Sequence, residues 1–151
     1  MNAERGVTLI EMLIVVALIA LMAGISYPAI GAGMDGIRIA SASDSITTFL
    51  SVGLNRAARR EQLIELTISK PDNALFLRSG DGYERRLDMP AGVRISEVLP
   101  ETPADPNAPR RFLLYPGGAP PRIGVHISSQ RGAQRTVWVD PITGVPRVER
   151  N

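Results

Sequence analysis
A single carboxylate stands where a carboxylate is costly. Glu11 lies at the leading edge of residues 6–30, GVTLIEMLIVVALIALMAGISYPAI, and from Met12 to Met34 the chain carries no charged residue. An acid at the centre of a membrane helix costs about 2.5–3.5 kcal/mol on insertion scales, and such a residue is functional by default. The chemistry open to it is electrostatic. Brought beside a cation in the same apolar surroundings, it forms an ion pair that relieves what neither charge can bear alone. A plainer role is also open, because the helix dipole favours an acid in a first helical turn.

Other chemistry-bearing residues are few. The chain has no cysteine, hence no thiolate and no disulfide, and His126 is its only histidine. One His without Cys makes a zinc site improbable on donor count. His126 sits between Val125 and Ile127 in a strand-like stretch, and no cysteine exists to pair with it as a nucleophile. Asp81, Glu84 and Asp88 are close in sequence, but Gly80 and Gly82 mark a turn. Acid–base carboxylates need a pocket that separates their environments. Their spacing fits no EF-hand loop, and Gly117-Gly118 lacks the lysine and helix of a phosphate-binding loop. The expectation is no catalytic residue, no metal, no cofactor and no enzyme. Arg122, Arg131, Arg135, Arg147 and Arg150 crowd the last third. They could neutralise nucleic-acid phosphates if they shared one surface. Trp138, the only tryptophan, offers little for base stacking and reads more simply as packing.

These residues need elements to hold them. The chain has 151 residues and a formal net charge of +2. One long helix leaves roughly 90 residues, enough for one small domain. The near balance of charge does not imply a polyanionic partner. Residues 7–30 read as a transmembrane half-helix, since about 24 residues at 1.5 Å rise span roughly 36 Å. A secretory signal would want a shorter apolar core and a more basic start than MNAERG provides. Arg5 ahead of the span favours a cytoplasmic N-terminus. Pro28 within the helix removes a backbone hydrogen bond and predicts a kink.

The helix continues over 31–60. Ile46, Phe49, Leu50, Gly53, Leu54 and Ala57 form an apolar stripe at helical period, with Ser43, Asp44, Ser51 and Asn55 opposite. Arg56, Arg59 and Arg60 suit a helix C-terminus and read as a solvated face. Residues 61–151 alternate apolar and polar in short runs between Gly/Pro turns, which predicts antiparallel strands. Those runs are 62–68, 74–78, 83–88, 92–99, 111–115, 122–128, 135–139 and 145–148. The stretch PETPADPNAPR, 100–110, reads as a loop. The fold class is α+β: one long N-terminal helix packed on an antiparallel β-sheet head.

The string Arg5-Gly6-Val7-Thr8-Leu9-Ile10-Glu11 resembles the processing site of type IV prepilins and type II secretion pseudopilins. That resemblance implies a leader, residues 1–6, cut by a prepilin peptidase between Gly6 and Val7. The same enzyme would then methylate the Val7 amine. Val7 stands where the family usually has Phe or Met. The resemblance further implies that Glu11 pairs with a terminal amine during filament assembly, and that the helix loosens at Pro28. The stretch from Leu54 to Arg59, Phe112 to Gly118 (FLLYPGG) and Val139 to Val148 (VDPITGVPRV) resemble the H-type minor pseudopilins, with their FimT- and FimU-like relatives. The implied protein is a minor pseudopilin of a type II secretion system, assisting export across the outer membrane. It would be a single-pass inner-membrane protein with a periplasmic head, partnered by the peptidase and by other pseudopilins or pilins. The alternative is a minor type IV pilin for pilus assembly or DNA uptake, and only there would nucleic acid be a partner.

Overall fold
A computed structural model describes residues 8–101 and 105–150; for residues 25–32 and 150 it describes the backbone alone. Contacts divide the chain between Met34 and Asp35 into two units, each taken by itself below. The elements are helix α1 (Leu9–Arg60) and strands β1 (Ile64–Ser69), β2 (Ala74–Ser79), β3 (Glu84–Asp88) and β4 (Val93–Leu99). These are followed by β5 (Arg110–Leu114), β6 (Gly124–Ser129), β7 (Gln134–Val139) and β8 (Pro146–Arg150). The molecule is α+β, an N-terminal helix with antiparallel sheets, consistent with a pilin-like fold.

In the first unit, Thr8 immediately precedes α1 and caps it. The Glu11 amide donates to the Thr8 carbonyl at 3.1 Å and lies 3.4 Å from its hydroxyl oxygen. Thr8 and Glu11 thus hold the spacing of a capping box, in which a Thr hydroxyl satisfies the amide three residues on. Behind this cap the large side chains from Leu9 to Met22 are all exposed, Leu9 at 83% and Met22 at 70%. Among the described residues no helix is long and apolar enough to cross a membrane. The expected span 7–30 falls partly outside them, at Val7 and at the side chains of 25–30.

In the second unit, the rest of α1 buries one stripe: Ile39, Ala42, Ser43, Ile46, Phe49, Leu50 and Ala57, with Leu54 partly buried beside it. The stripe begins earlier than the sequence suggests, and it includes a residue assigned to the wrong face. Ser43 is fully buried. It can be, because its hydroxyl donates to the Ala40 carbonyl at 2.7 Å and accepts from Arg135 Nη1 at 3.3 Å. A hydroxyl whose bonds are made loses little on burial. Arg56 also leaves the solvated face. It pairs with Asp81 at 2.6 Å and lies 3.8 Å over the Tyr83 ring. The helix stops at Glu61, whose φ of 52° places a left-handed residue just past its end.

The strands match the expected runs to within two residues at each end, but they form two sheets rather than one. The first has order β3-β2-β1-β5 and the second β4-β6-β7-β8, every pair antiparallel. Alternation supplies the buried faces: Ile64, Leu66, Ile68, Leu75, Leu77 and Leu114 from the first, and Val93, Ile95, Val125, Ile127, Val137 and Val139 from the second. Both contribute to one core with the α1 stripe. Asn73 ties the sheets together. Its amide donates to the Val93 carbonyl at 2.8 Å and accepts from the Ile95 amide at 2.9 Å. Its φ of 50° suits Asn, one of the few residues that tolerate this conformation.

The outer face of the first sheet carries ion pairs, Arg78–Glu84 at 2.9 Å and Arg111–Glu65 at 3.8 Å between strands and Arg86–Asp88 at 2.6 Å along β3. Exposed pairs stabilise by about 0–1 kcal/mol each. They mark a solvated surface and blunt the β3 edge against further strand pairing.

Candidate functional site
Gly6 and Val7, the expected cleavage site, lie outside the described residues. Glu11 stands in the first turn of α1, exposed, three residues after its cap. Nothing in the described chain neutralises it, since no ion pair involves Glu11. The segment that follows displays apolar side chains on every side. A helix apolar all round belongs in the interior of an assembly or in a bilayer. Pro28 lies inside the helical bounds of α1, and its side chain is outside those described.

The remaining candidates separate. His126 faces away from the helix, with Nδ1 2.9 Å from the Thr136 hydroxyl and Nε2 3.9 Å from Glu97 Oε2. Carboxylate, imidazole and hydroxyl stand in a row, yet Thr136 is only 1% exposed. A hydroxyl that no substrate can reach is no nucleophile, so the row serves structure. No group of three or more His, Asp or Glu among the described residues could hold a metal ion.

Asp81, expected in a turn, is a turn organiser. Its carboxylate accepts from the Ser79 hydroxyl, from the Tyr83 amide at 3.2 Å and from Arg56. The Ser79 hydrogen bond holds this carboxyl below the ordinary aspartate range; burial opposes it, and the Tyr83 amide and then the Arg56 charge add to the lowering. A depressed folded value stabilises above the ordinary value of 3.8 and ceases to do so as pH falls through the folded one. We therefore expect Asp81→Asn to narrow the gap in urea midpoint between neutral pH and roughly pH 3; an identical acid limb in both proteins would refute the assignment. Glu101 runs the other way. Its hydrogen bond with Glu97, and the like charge there, raise its value above 4.5. Its favourable contribution is present at low pH and lost as pH rises through the folded value.

The arginines do not share one face. Arg135 points to the helix and bonds Ser43, whereas Arg147, on the opposite side of the second sheet, lies 3.6 Å from Asp140. A phosphate backbone needs several cations on one surface; of the described members of this set only Arg122 and Arg147 come together, and they do so beside the carboxylates of Asp140 and Glu149.

The capping pair Thr8–Glu11 escaped the sequence reading, although its Thr-x-x-Glu signature is legible there. The seat of Trp138 was not legible, because it depends on strand register. Gly124 pairs with Trp138, and a Cβ at Gly124 would come within 2.8 Å of the indole ring.

Residues 1–27 match the family model of the prokaryotic N-terminal methylation motif, the prepilin-type signal. This match supports a type IV pilin-like or pseudopilin subunit in general, and a structural subunit rather than an enzyme. It implies processing by prepilin peptidase and assembly with other pilins, from a membrane-anchored precursor. No curated protein and no solved structure matches the chain.

Proposed function
We propose that this chain is a minor pseudopilin of a type II secretion system, built into a periplasmic pseudopilus that assists protein export. In this reading residues 1–6 are the leader, residues 7–30 the inner-membrane half of the helix, residues 31–60 its periplasmic half and residues 61–151 the head. The peptidase cuts between Gly6 and Val7 and methylates Val7. Glu11 then meets the amine of a neighbouring subunit, and Pro28 loosens the helix as it leaves the bilayer. One observation carries the reading: the methylation motif takes in the start of α1, where an acid in the first turn stands among exposed apolar side chains from Leu9 to Met22. A contiguous apolar surface of this kind demands a partner. A minor type IV pilin would use the same motif, and the partners recovered with the protein separate the two.

Co-expression with an active prepilin peptidase tests the proposal. The expected product begins at Val7 and carries one added methyl group by mass spectrometry, and Gly6→Leu should block both changes. An intact Gly6–Val7 bond beside a control pilin that is cut would end the proposal. Affinity capture after cross-linking should then return secretion pseudopilins; recovery of pilus subunits instead would favour the minor pilin.

A further inference from the structure
The second sheet carries a cavity on the face turned away from the core. It measures about 560 Å³, within the ~300–1,000 Å³ range of small-molecule sites. Register places Leu99, Gly124, Trp138 and Arg147 in one row across β4, β6, β7 and β8. Val137 and Val139 are buried in the core, and strand alternation turns Trp138 to the other side. There the missing side chain of Gly124 lets the indole lie across β6, with its atoms 2.8–3.0 Å from where a Cβ would stand. The His126 ring meets it edge-on, 6.4 Å away at 76°. The result is an aromatic floor fixed from beneath and from one edge, walled by Pro100 and Pro141.

The polar groups around this floor carry both signs. Arg122 and Arg147 line it together with Asp140 and Glu149. Asp140 is held in place by the amides of Ile142 at 2.8 Å and Thr143 at 3.2 Å. Arg122 has no ion-pair partner among the described residues. Two guanidinium groups and two carboxylates sum to no net charge. A polyanion would meet repulsion along with attraction, and a purely apolar ligand would strip water from four charged groups without replacing it. A sugar ring answers every feature. Its C–H face lies on the indole, and its hydroxyls, each both donor and acceptor, can donate to carboxylates and accept from guanidinium groups.

We propose that this cavity binds a neutral saccharide, one pyranose ring stacked on Trp138 and its hydroxyls held by Arg122, Arg147, Asp140 and Glu149. Because Trp138 is the only tryptophan, its fluorescence reports this cavity alone. The full chain, in a zwitterionic detergent free of sugar, is titrated with maltohexaose, cellohexaose and N-acetylchitohexaose. At least one should give a saturable emission change at millimolar concentration or below. Arg122→Ala should weaken that binding about tenfold without altering the circular dichroism spectrum. Trp138→Ala should abolish it by calorimetry. A flat titration with all three sugars overturns the proposal. So does unchanged affinity in both Arg122→Ala and Arg147→Ala, or tighter, Arg122-dependent binding of an oligothymidylate or a polyglutamate peptide.

Discussion
Glu11→Gln is expected to expel the protein from the filament while leaving its first helical turn intact. Glutamine at this position still completes a Thr-x-x-Gln capping box with Thr8, so the local reason for an acid in the first turn is met. What the substitution removes is the charge. If Glu11 pairs with a neighbour's amine within the apolar bundle, its loss leaves that amine buried and unpaired. Breaking a buried pair this way costs about 3–5 kcal/mol, more than about a hundredfold in an association equilibrium. The chain contains no cysteine, so a single cysteine placed in the head gives cross-linking without background. Cross-linked oligomer should fall to baseline in Glu11→Gln and Glu11→Ala alike. If the glutamine variant assembles normally while the alanine variant fails, Glu11 serves as a helix cap and the pairing role is wrong.

The second large effect concerns the head. Leu50→Ala, in a fragment spanning Asp35–Asn151, should destabilise by about 2–5 kcal/mol, the range for emptying a buried leucine site. Leu50 is 1% exposed and belongs to the core that α1 shares with both sheets. Thr48, two residues earlier, is exposed, and its hydroxyl bonds only the Asp44 carbonyl of its own helix. Thr48→Ala should change stability by about 0.5 kcal/mol or less. Urea denaturation of the fragment compares the two. Equal midpoints would mean that this half of α1 does not form part of the head's core.

The methylation motif could be read from the chain because it is local. A run without charge, one acid at a fixed offset and a Gly-Val bond require no knowledge of distant residues, and the methylation motif match falls on that stretch. The strands were legible for a related reason. Ile64, Leu66 and Ile68 alternate with Glu65 and Thr67, and burial on one face of a sheet imposes that period wherever the strand lies.

Partnership was not legible. Alternation says which side of a strand is buried but not which strand lies beside it. So one expected sheet proved to be two, with β5 returning to pair with β1 past three intervening strands. Ser43 was placed on the wrong face for the same cause: a serine is polar by composition, and only the tertiary fold brings Arg135 to its hydroxyl, 92 residues away. Trp138 reads as packing until register sets it on a residue with no side chain. The sequence by itself determined the apolar helix, its acid and the periods of the strands, because these follow from what each residue avoids or seeks in water. Tertiary structure decided the two sheets, the buried serine and the aromatic floor, because each depends on which distant groups the fold brings within reach.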